Sequence, residues 1–353
     1  MIIDDLARQP SAWLQGEEVQ NSDVVISSRV RIARNLTGFS FVGKASDLDL
    51  ENLMESVCGA FAELFDASKV TFVNFSNLSD DEGQFLLERK LVDAKFLASQ
   101  RPRGLLFDNK EQFSVMVNKE DHLLLQAITP GLSLEKAFER VNSLDDLLES
   151  KLDYSFDEQF GYLTASPSNL GTGLRASVAL HLPGLVETGE IEKALRGLHK
   201  LNLDVRSLYT EEERTPGDMF LVSGKKTLGV TEEEIVDQLN EIVSGVVEYE
   251  RKSRETLMQY NRRGVLDRCR RALGVLHMAQ TTSLEEATTF LSDIRLGLCL
   301  EAFNNPSIPS PDKLLLQIQP ASLSRYFGKE FEDREEEDAA RAEFLRSKLP
   351  VEG

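Results

Sequence analysis

The apolar residues Leu48, Leu50, Leu53, Met54, Val57, Phe61 and Leu64 recur at roughly helical spacing, which predicts an amphipathic helix there. The segment Lys69-Val-Thr-Phe-Val-Asn-Phe75 that follows is β-branched and aromatic and predicts a strand. Ser79-Asp-Asp-Glu82 has the spacing of a capping box, with Ser capping and Glu reaching back, so a second helix is expected to open there. Gly104–Phe107, Phe113–Val117 and His122–Ile128 then read as strands joined by short polar turns. Connections that short favour antiparallel pairing, because parallel strands need long crossovers. Further strands are expected at Asp23–Ile26, Leu203–Leu208 and Asp218–Val222.

After Val230 the pattern becomes helical. Thr231-Glu-Glu-Glu234 repeats the capping-box spacing and opens a helical pattern that runs past Met258 towards Met278. Ser283-Leu-Glu-Glu286 opens another through Phe290, Ile294 and Leu298, Pro311 suits the first turn of a short helix, and Asp333–Leu349 reads as a last, acidic one. The fold expected is therefore α+β, a mostly antiparallel sheet flanked by helices over residues 1–250, followed by an all-helical domain over 251–353. The stripe Leu291, Ile294 and Leu298 could seat a second copy in a homodimer or pack within the chain.

Composition narrows the possible functions. The chain has 353 residues, enough for two domains, and is 41% hydrophobic and 28% charged, the balance of an ordinary globular protein. Lys and Arg number 40 against 59 Asp and Glu, a net charge of −19, which argues against nucleic acid as a partner and suits cationic ones. No apolar run approaches the roughly 20 residues of a membrane helix. The start, Met1-Ile-Ile-Asp-Asp, lacks the basic and apolar regions of an export signal. Cys58, Cys269 and Cys299 are too scattered for a disulfide framework or a structural zinc site, so a reducing cytoplasm is expected and no metal ligand is assigned.

Four segments carry candidate chemistry. In an extended Ser27-Ser-Arg-Val-Arg-Ile-Ala-Arg34, Arg29 and Arg31 project on one side, able to clamp an anion or to lie on a solvated edge strand. Ser166-Pro-Ser-Asn-Leu-Gly-Thr-Gly173 is a loop of small, turn-forming residues. It runs into Leu174–Leu180, read as a helix whose N-terminus, with Arg175 in its first turn, would favour an anion. Asn118-Lys-Glu-Asp-His122 gathers carboxylates and an imidazole at a strand end. Arg206–Gly217 reads as a mobile loop with Arg206 at its base and acids at its tip, while His181 and His199 are read as structural residues on apolar helices.

Taken together and in order, Ser-Ser-Arg-Val-Arg-Ile-Ala-Arg-Asn, Asn-Lys-Glu-Asp-His, Gly161-Tyr-Leu-Thr-Ala-Ser-Pro-Ser-Asn-Leu-Gly-Thr-Gly-Leu-Arg-Ala-Ser-Val and Leu291-Ser-Asp-Ile-Arg-Leu-Gly297 resemble the ATP:guanidino phosphotransferases. Within them the chain is most similar to the bacterial protein-arginine kinase (McsB) branch. The resemblance implies transfer of the γ-phosphoryl of Mg²⁺-bound ATP to an arginine guanidinium, most naturally in a protein. By position it implies nucleotide contacts from Ser27, Ser28, Arg29, Val30 and Arg31, from Lys90, from Arg175, Ala176, Ser177, Val178 and Ala179, and from Arg206, Ser207, Leu208, Tyr209, Thr210 and Glu211. Glu120 and Glu211 take the place of the catalytic carboxylates, and Asp338 and Arg341 that of a degenerate phosphoarginine-reading pair. Implied partners are arginine-containing proteins, a zinc-containing activator and a Clp unfoldase–protease.

The chain departs from the family pattern at several positions. Leu124 stands where the family has a phosphate-gripping Arg, Lys119 where it has an acid near Mg²⁺, Lys90 where it has a His and Ser166 where it has a Cys. Arg214 falls near a further loop acid, and Glu337 inverts the charge at the start of the tail motif. Three readings follow. Lys90 and Lys119 replace the lost positive charge in a working kinase, the chain is a pseudokinase that binds nucleotide or clients, or it is an acidic scaffold.

Overall fold

Strand β1, Val25–Arg34, organises the molecule through its alternation. Ser28, Val30, Ile32 and Arg34 are almost completely buried on one side, while Ser27, Arg29 and Arg31 are half-buried on the other. The computed structural model describes Leu6 and residues 11–14, 20–208, 215–303 and 307–350. Within these, β1 lies between β5 (Leu123–Pro130) and β8 (Leu174–His181), antiparallel to both, with Arg29 opposite Ile128 and Ser177. The remaining strands are β2 (Val70–Asn74), β3 (Gly104–Asp108), β4 (Phe113–Val117), β9 (Leu203–Ser207) and β10 (Met219–Gly224). The eight-stranded sheet has the order β2-β3-β4-β5-β1-β8-β10-β9, every pairing antiparallel, and a small hairpin joins β6 (Phe156–Asp157) to β7 (Gly161–Tyr162). The antiparallel sheet expected from the short turns is the one found.

One expected element is corrected. Leu174–Leu180, read as a helix, is strand β8. Its alternation of Leu174, Ala176, Val178 and Leu180 with Arg175 and Ser177 is blurred by Ala179, because this central strand is buried on both faces. His181 accordingly ends a strand, whereas His199 does lie on a helix.

The helices are α1 (Asp47–Leu64), α2 (Asp80–Glu88), α3 (Ala94–Ala98), α4 (Leu134–Glu149), α5 (Pro183–Glu187) and α6 (Ile191–Lys200). The tail adds α7 (Glu232–Met278), α8 (Leu284–Cys299), α9 (Pro311–Gln317), α10 (Pro320–Phe327) and α11 (Arg334–Lys348). The capping boxes expected at Ser79 and Thr231 are both formed. Helix α7 runs through residue 250 and carries one non-helical residue, Asn261.

Packing leaves one part of the sheet open. The Val30 face joins Val57, Val141, Leu144 and Val243 from α1, α4 and α7 in the main core. On the other face, Ile26, Ala179, Met219 and Leu221 pack beneath the tail helices with Leu276, Leu291 and Ile294. At the far end, Leu105, Phe107 and Met116 pack with Phe85 and Phe96 of α2 and α3. Between these two apolar clusters the outer face carries arginines instead. Leu291 and Ile294, the stripe considered for a dimer contact, are thus buried within the chain, while Leu298 is exposed.

Buried polar ties hold the tail against this sheet. His181 hydrogen-bonds Ser292 Oγ at 2.8 Å and accepts from Arg295 at 2.9 Å. Burial and the neighbouring Arg295 and Arg254 hold its imidazole neutral, well below the usual histidine range. The Glu88 carboxylate accepts from Ala321 N at 2.9 Å and Ser322 N at 2.8 Å, capping α10 from α2.

Candidate active site

The outer face of β1 sets the charge of the site. Arg29 donates to Ser177 Oγ of β8 at 3.2 Å, and Arg31 donates to Gln126 Oε1 of β5 at 2.8 Å. Arg175 of β8 stands directly opposite Arg31, and Arg206 lies opposite Leu221 in the β9–β10 ladder. Burial depresses the Arg29 and Arg31 guanidinium groups; Arg206 adds to it at both, and Asp93 opposes it. Arginine remains charged in such surroundings, so the depression marks how closely these cations are crowded.

Two lysines extend the positive surface. Lys90 follows α2 with a left-handed backbone, φ 65°, and its carbonyl accepts from Gln126 Nε2 at 2.8 Å. Burial brings its amine down to about 8, Arg29 and Arg206 push the same way, and Glu88 opposes them. Lys119 donates to Asp93 Oδ2 at 2.6 Å, and Arg31 reaches the same oxygen at 3.5 Å. Burial disfavours the Asp93 charge, but Arg31 and Lys119 outweigh it and hold the carboxyl below its usual range.

The β4–β5 turn presents Glu120. Asn118, at φ 63°, donates through its side chain to Leu50 O and Pro102 O. Asp121 accepts from Asn35 Nδ2 at 2.7 Å and Ala165 N at 2.6 Å, and His122 Nδ1 accepts from Leu36 N at 2.9 Å. Asn118, Asp121 and His122 are nearly or fully buried, so this part of the acid–imidazole motif is scaffold. It leaves Glu120 at the cleft edge, paired with Lys95 of α3.

The loop leading to β8 forms the opposite rim. Gly171 (φ 106°) would place a Cβ 2.4 Å from Thr227 O, and Gly173 (φ 67°) would place one 2.5 Å from Ala33 O. Both positions therefore require glycine. Arg34 donates to Thr172 O at 2.7 Å, stacks over Tyr162 at 3.4 Å and pairs with Asp145 at 2.5 Å, fixing the rim to α4. The resulting cleft of about 240 Å³ is lined by Arg31, Lys119, Glu120, Leu124, Ser166 and Arg175, among others.

The structure thus brings together Ser27, Arg29, Arg31, Ser177, Arg175 and Arg206 on one sheet face, with Lys90 and Glu120 beside them. Other expected contacts lie elsewhere. Ser28, Val30, Ala176 and Val178 are buried on the opposite side of the sheet, because strand alternation turns every second residue away. Ser28 Oγ bonds Gly131 O and Ser133 N instead. Ser207 pairs with Phe220, a residue of the main core, and Ala179 and Leu208 pack under the tail helices. Tyr209, Thr210, Glu211 and Arg214 lie outside the described residues.

The tail pair Asp338 and Arg341 lies within the helical tail, on α11. Arg341 is completely buried and donates to Ile318 O, Thr282 O, Asp338 and Glu337. Glu337, where the related motif has a cation, thus occupies the guanidinium from within the chain, leaving Arg341 a clamp between α11 and its neighbours. Sequence reasoning missed Asp93, Lys95 and Gln126. A polar Gln inside the apolar run Leu123–Ile128 was the one visible signal.

Lombricine kinase shares the fold at a TM-score of 0.57 and 23% identity, covering 69% of this chain and 70% of that one. A taurocyamine kinase from Schistosoma mansoni, solved with transition state analog components, gives 0.59 at 23%, covering 73% and 38%. The fold is therefore that of the guanidino kinases. Residues 52–253 match the ATP:guanido phosphotransferase C-terminal catalytic domain, and residues 262–352 match the protein-arginine kinase McsB C-terminal domain. The protein-arginine kinase of Halothermothrix orenii is 37% identical over 339 residues, 96% of each chain. That of Syntrophomonas wolfei is 38% identical over 341 residues, 96% of this chain and 95% of the other. The chain belongs to the ATP:guanido phosphotransferase family, in its protein-arginine kinase branch.

Proposed function

We propose that the protein transfers the γ-phosphoryl group of ATP to arginine side chains of proteins. The observation that carries this reading is the convergence of Arg29, Arg31, Arg175 and Arg206 on one sheet face whose cleft has Glu120 on its wall. The arginines take the phosphate oxygens, where forked donors neutralise charge on the transferred group. Glu120 takes the target guanidinium by paired hydrogen bonds and orients one nitrogen towards the γ-phosphorus. That nitrogen forms the N–P bond as the bond to the β–γ bridging oxygen breaks. ADP leaves with the electron pair, and the proton released by the guanidinium passes to Glu120.

Mg²⁺ enters as part of the nucleotide substrate. It would supply charge neutralisation on the transferred phosphoryl group. Kinship with protein-arginine kinases over the tail supports protein rather than free arginine as substrate. With the family resemblance it also supports a homodimer in the cytoplasm, with a zinc-containing activator and a Clp unfoldase–protease as partners.

The test is incubation of the full chain with Mg-ATP and an arginine-rich protein, followed by mass spectrometry for acid-labile phosphoarginine. Glu120→Gln keeps the shape but removes the charge, and should lower turnover by about 10²-fold or more with ATP affinity nearly unchanged. ATP binding without phosphoarginine would replace the kinase by a nucleotide-binding pseudokinase, and binding of neither would leave a scaffold.

A further inference from the structure

The short helix α3 and its cap bring one anion and one cation to the cleft wall. Asp93 caps α3 by accepting from Phe96 N at 3.0 Å, and the Phe96 side chain is completely buried among the apolar residues of α2 and β3. This anchor fixes where residues 93 and 95 stand. The second oxygen of Asp93 is shared by Lys119 at 2.6 Å and Arg31 at 3.5 Å, and Lys95 pairs with Glu120. Arg31, Lys119 and Glu120 all line the cleft. One segment of three residues therefore sets a carboxylate against the cations of the phosphate side and an ammonium against the carboxylate of the guanidinium side.

The chemistry on each side matches a substrate. A carboxylate oxygen between an arginine and a lysine takes the donors a phosphate oxygen would take. An ammonium on Glu120 takes the acceptor a guanidinium would take, as a point charge lacking the planar fork. We propose that Asp93 and Lys95 form an internal competitor: Asp93 screens Arg31 and Lys119 from the nucleotide phosphates, and Lys95 screens Glu120 from the arginine substrate. Productive binding then requires both ion pairs to give way, Arg31 and Lys119 turning from Asp93 to the phosphates and Lys95 leaving Glu120. Lys95 is the looser half, since its side chain is 73% exposed and Glu120 is 37% exposed, whereas Asp93 is held by its cap. The arginine substrate displaces a lysine it outcompetes by bidentate geometry, which gives the site a preference for guanidinium over ammonium. The inference rests on the roles assigned above to Arg31 and Glu120.

Each half is tested on the full chain with its own probe, by isothermal titration. Tripolyphosphate reports the anion side, and N-acetylarginine amide reports the Glu120 side. Asp93→Asn retains the cap and removes the charge, and should tighten tripolyphosphate about tenfold while leaving the arginine probe unmoved. Lys95→Ala should tighten the arginine probe roughly two- to fivefold, the range of an exposed ion pair, while leaving tripolyphosphate unmoved. Asp93→Ser, which also caps, guards against a defect peculiar to the amide.

Weaker or unchanged tripolyphosphate binding in both Asp93 variants makes Asp93 an orienting partner of Arg31 and Lys119, and overturns the competitor. A weaker or unchanged arginine probe in Lys95→Ala overturns the other half. Wild-type phosphoarginine formation is measured in parallel. Product with unmoved affinities removes the competitor and leaves the kinase reading. Shifted affinities without product do the reverse, and a wild type that binds neither probe removes both.

Discussion

Arg31 and Arg175 face each other directly across the β1–β8 ladder, two like charges at one register position. Such a pair destabilises a sheet when no counter-charge is present. Asp93 reaches Arg31, while the buried Nε of Arg175 has no hydrogen-bond partner among the described residues. The sheet thus carries an unfavourable pair that an anion between the strands would relieve. In the reading proposed above, the nucleotide phosphates are that anion.

Arg175→Ala should accordingly weaken ATP binding by more than about tenfold, the scale of one hydrogen bond to a charged group. The substrate-free protein should not lose stability, since the repulsion leaves with the side chain. Titration calorimetry and thermal unfolding of the same preparation check both halves. A variant that unfolds earlier and binds ATP as before would make Arg175 a structural residue.

Leu124 lines the cleft opposite Ala33, next in line to the position of Arg31. A guanidinium introduced there adds a cation to a face that already has Arg31 and Lys119 within reach of one carboxylate. Leu124→Arg should therefore improve ATP affinity by less than about fivefold, the range of an exposed ion pair. A much larger gain would show that Lys119 has not replaced the missing arginine and that the site has weakened.

Much of this was legible along the chain, for physical reasons that differ by element. Helices that begin with Ser79 or Thr231 announce themselves because the cap and its Glu lie three residues apart. Arg29 and Arg31 could be paired from spacing alone, since a strand alternates. Arg175 was singled out for a reason that does not hold, a helix N-terminus; what places it is cross-strand register, a relation between residues 144 positions apart. Asp93 was invisible on the same ground, because Arg31 and Lys119 reach it from two other parts of the chain. The inward turn of Val30 follows from the same alternation, but that of Ala176 and Val178 could be read only once β8 was known to be a strand.

The junction between the sheet and the tail helices carries its own pH dependence. Burial pushes the Asp218 carboxyl up to about 6; Arg268 opposes this, and Asp293, Glu187 and Glu250 reinforce it. The folded state thus holds this proton more tightly than the unfolded chain does. Stability is greatest at the acid end of the window between 3.8 and about 6, falls as pH rises through it, and bears the full penalty above. Asp218 has φ 53°, a conformation asparagine also adopts. Asp218→Asn should stabilise the protein by about 1 kcal/mol at neutral pH, after discount for partial exposure, and by nearly nothing near pH 4. Thermal unfolding at both pH values checks this, and an equal shift at both would assign the effect to something other than charge.

Lys90 offers a titration inside the site itself. Its amine stands at about 8 in the folded protein against 10.5 in an unperturbed lysine, through burial first and the nearby Arg29 and Arg206 next. Below about 8 both folded and unfolded chains carry the charge, so the fold bears the whole penalty; as pH rises towards 10.5 the folded lysine alone is neutral and the penalty is relieved. A nucleotide brings negative charge to this face and favours the protonated amine. Binding should therefore take up a proton when it occurs above pH 8, and ATP affinity should fall as pH rises through that value. Calorimetry at pH 8.5 in buffers of different ionisation heat should report proton uptake of at most about 0.8, the fraction a group titrating near 8 lacks there. Lys90→Met, which keeps the apolar stem, should abolish most of that uptake while weakening binding at pH 7 more than at pH 9.5. Equal uptake in variant and wild type would mean that the proton enters at another group and that Lys90 does not sense the phosphates.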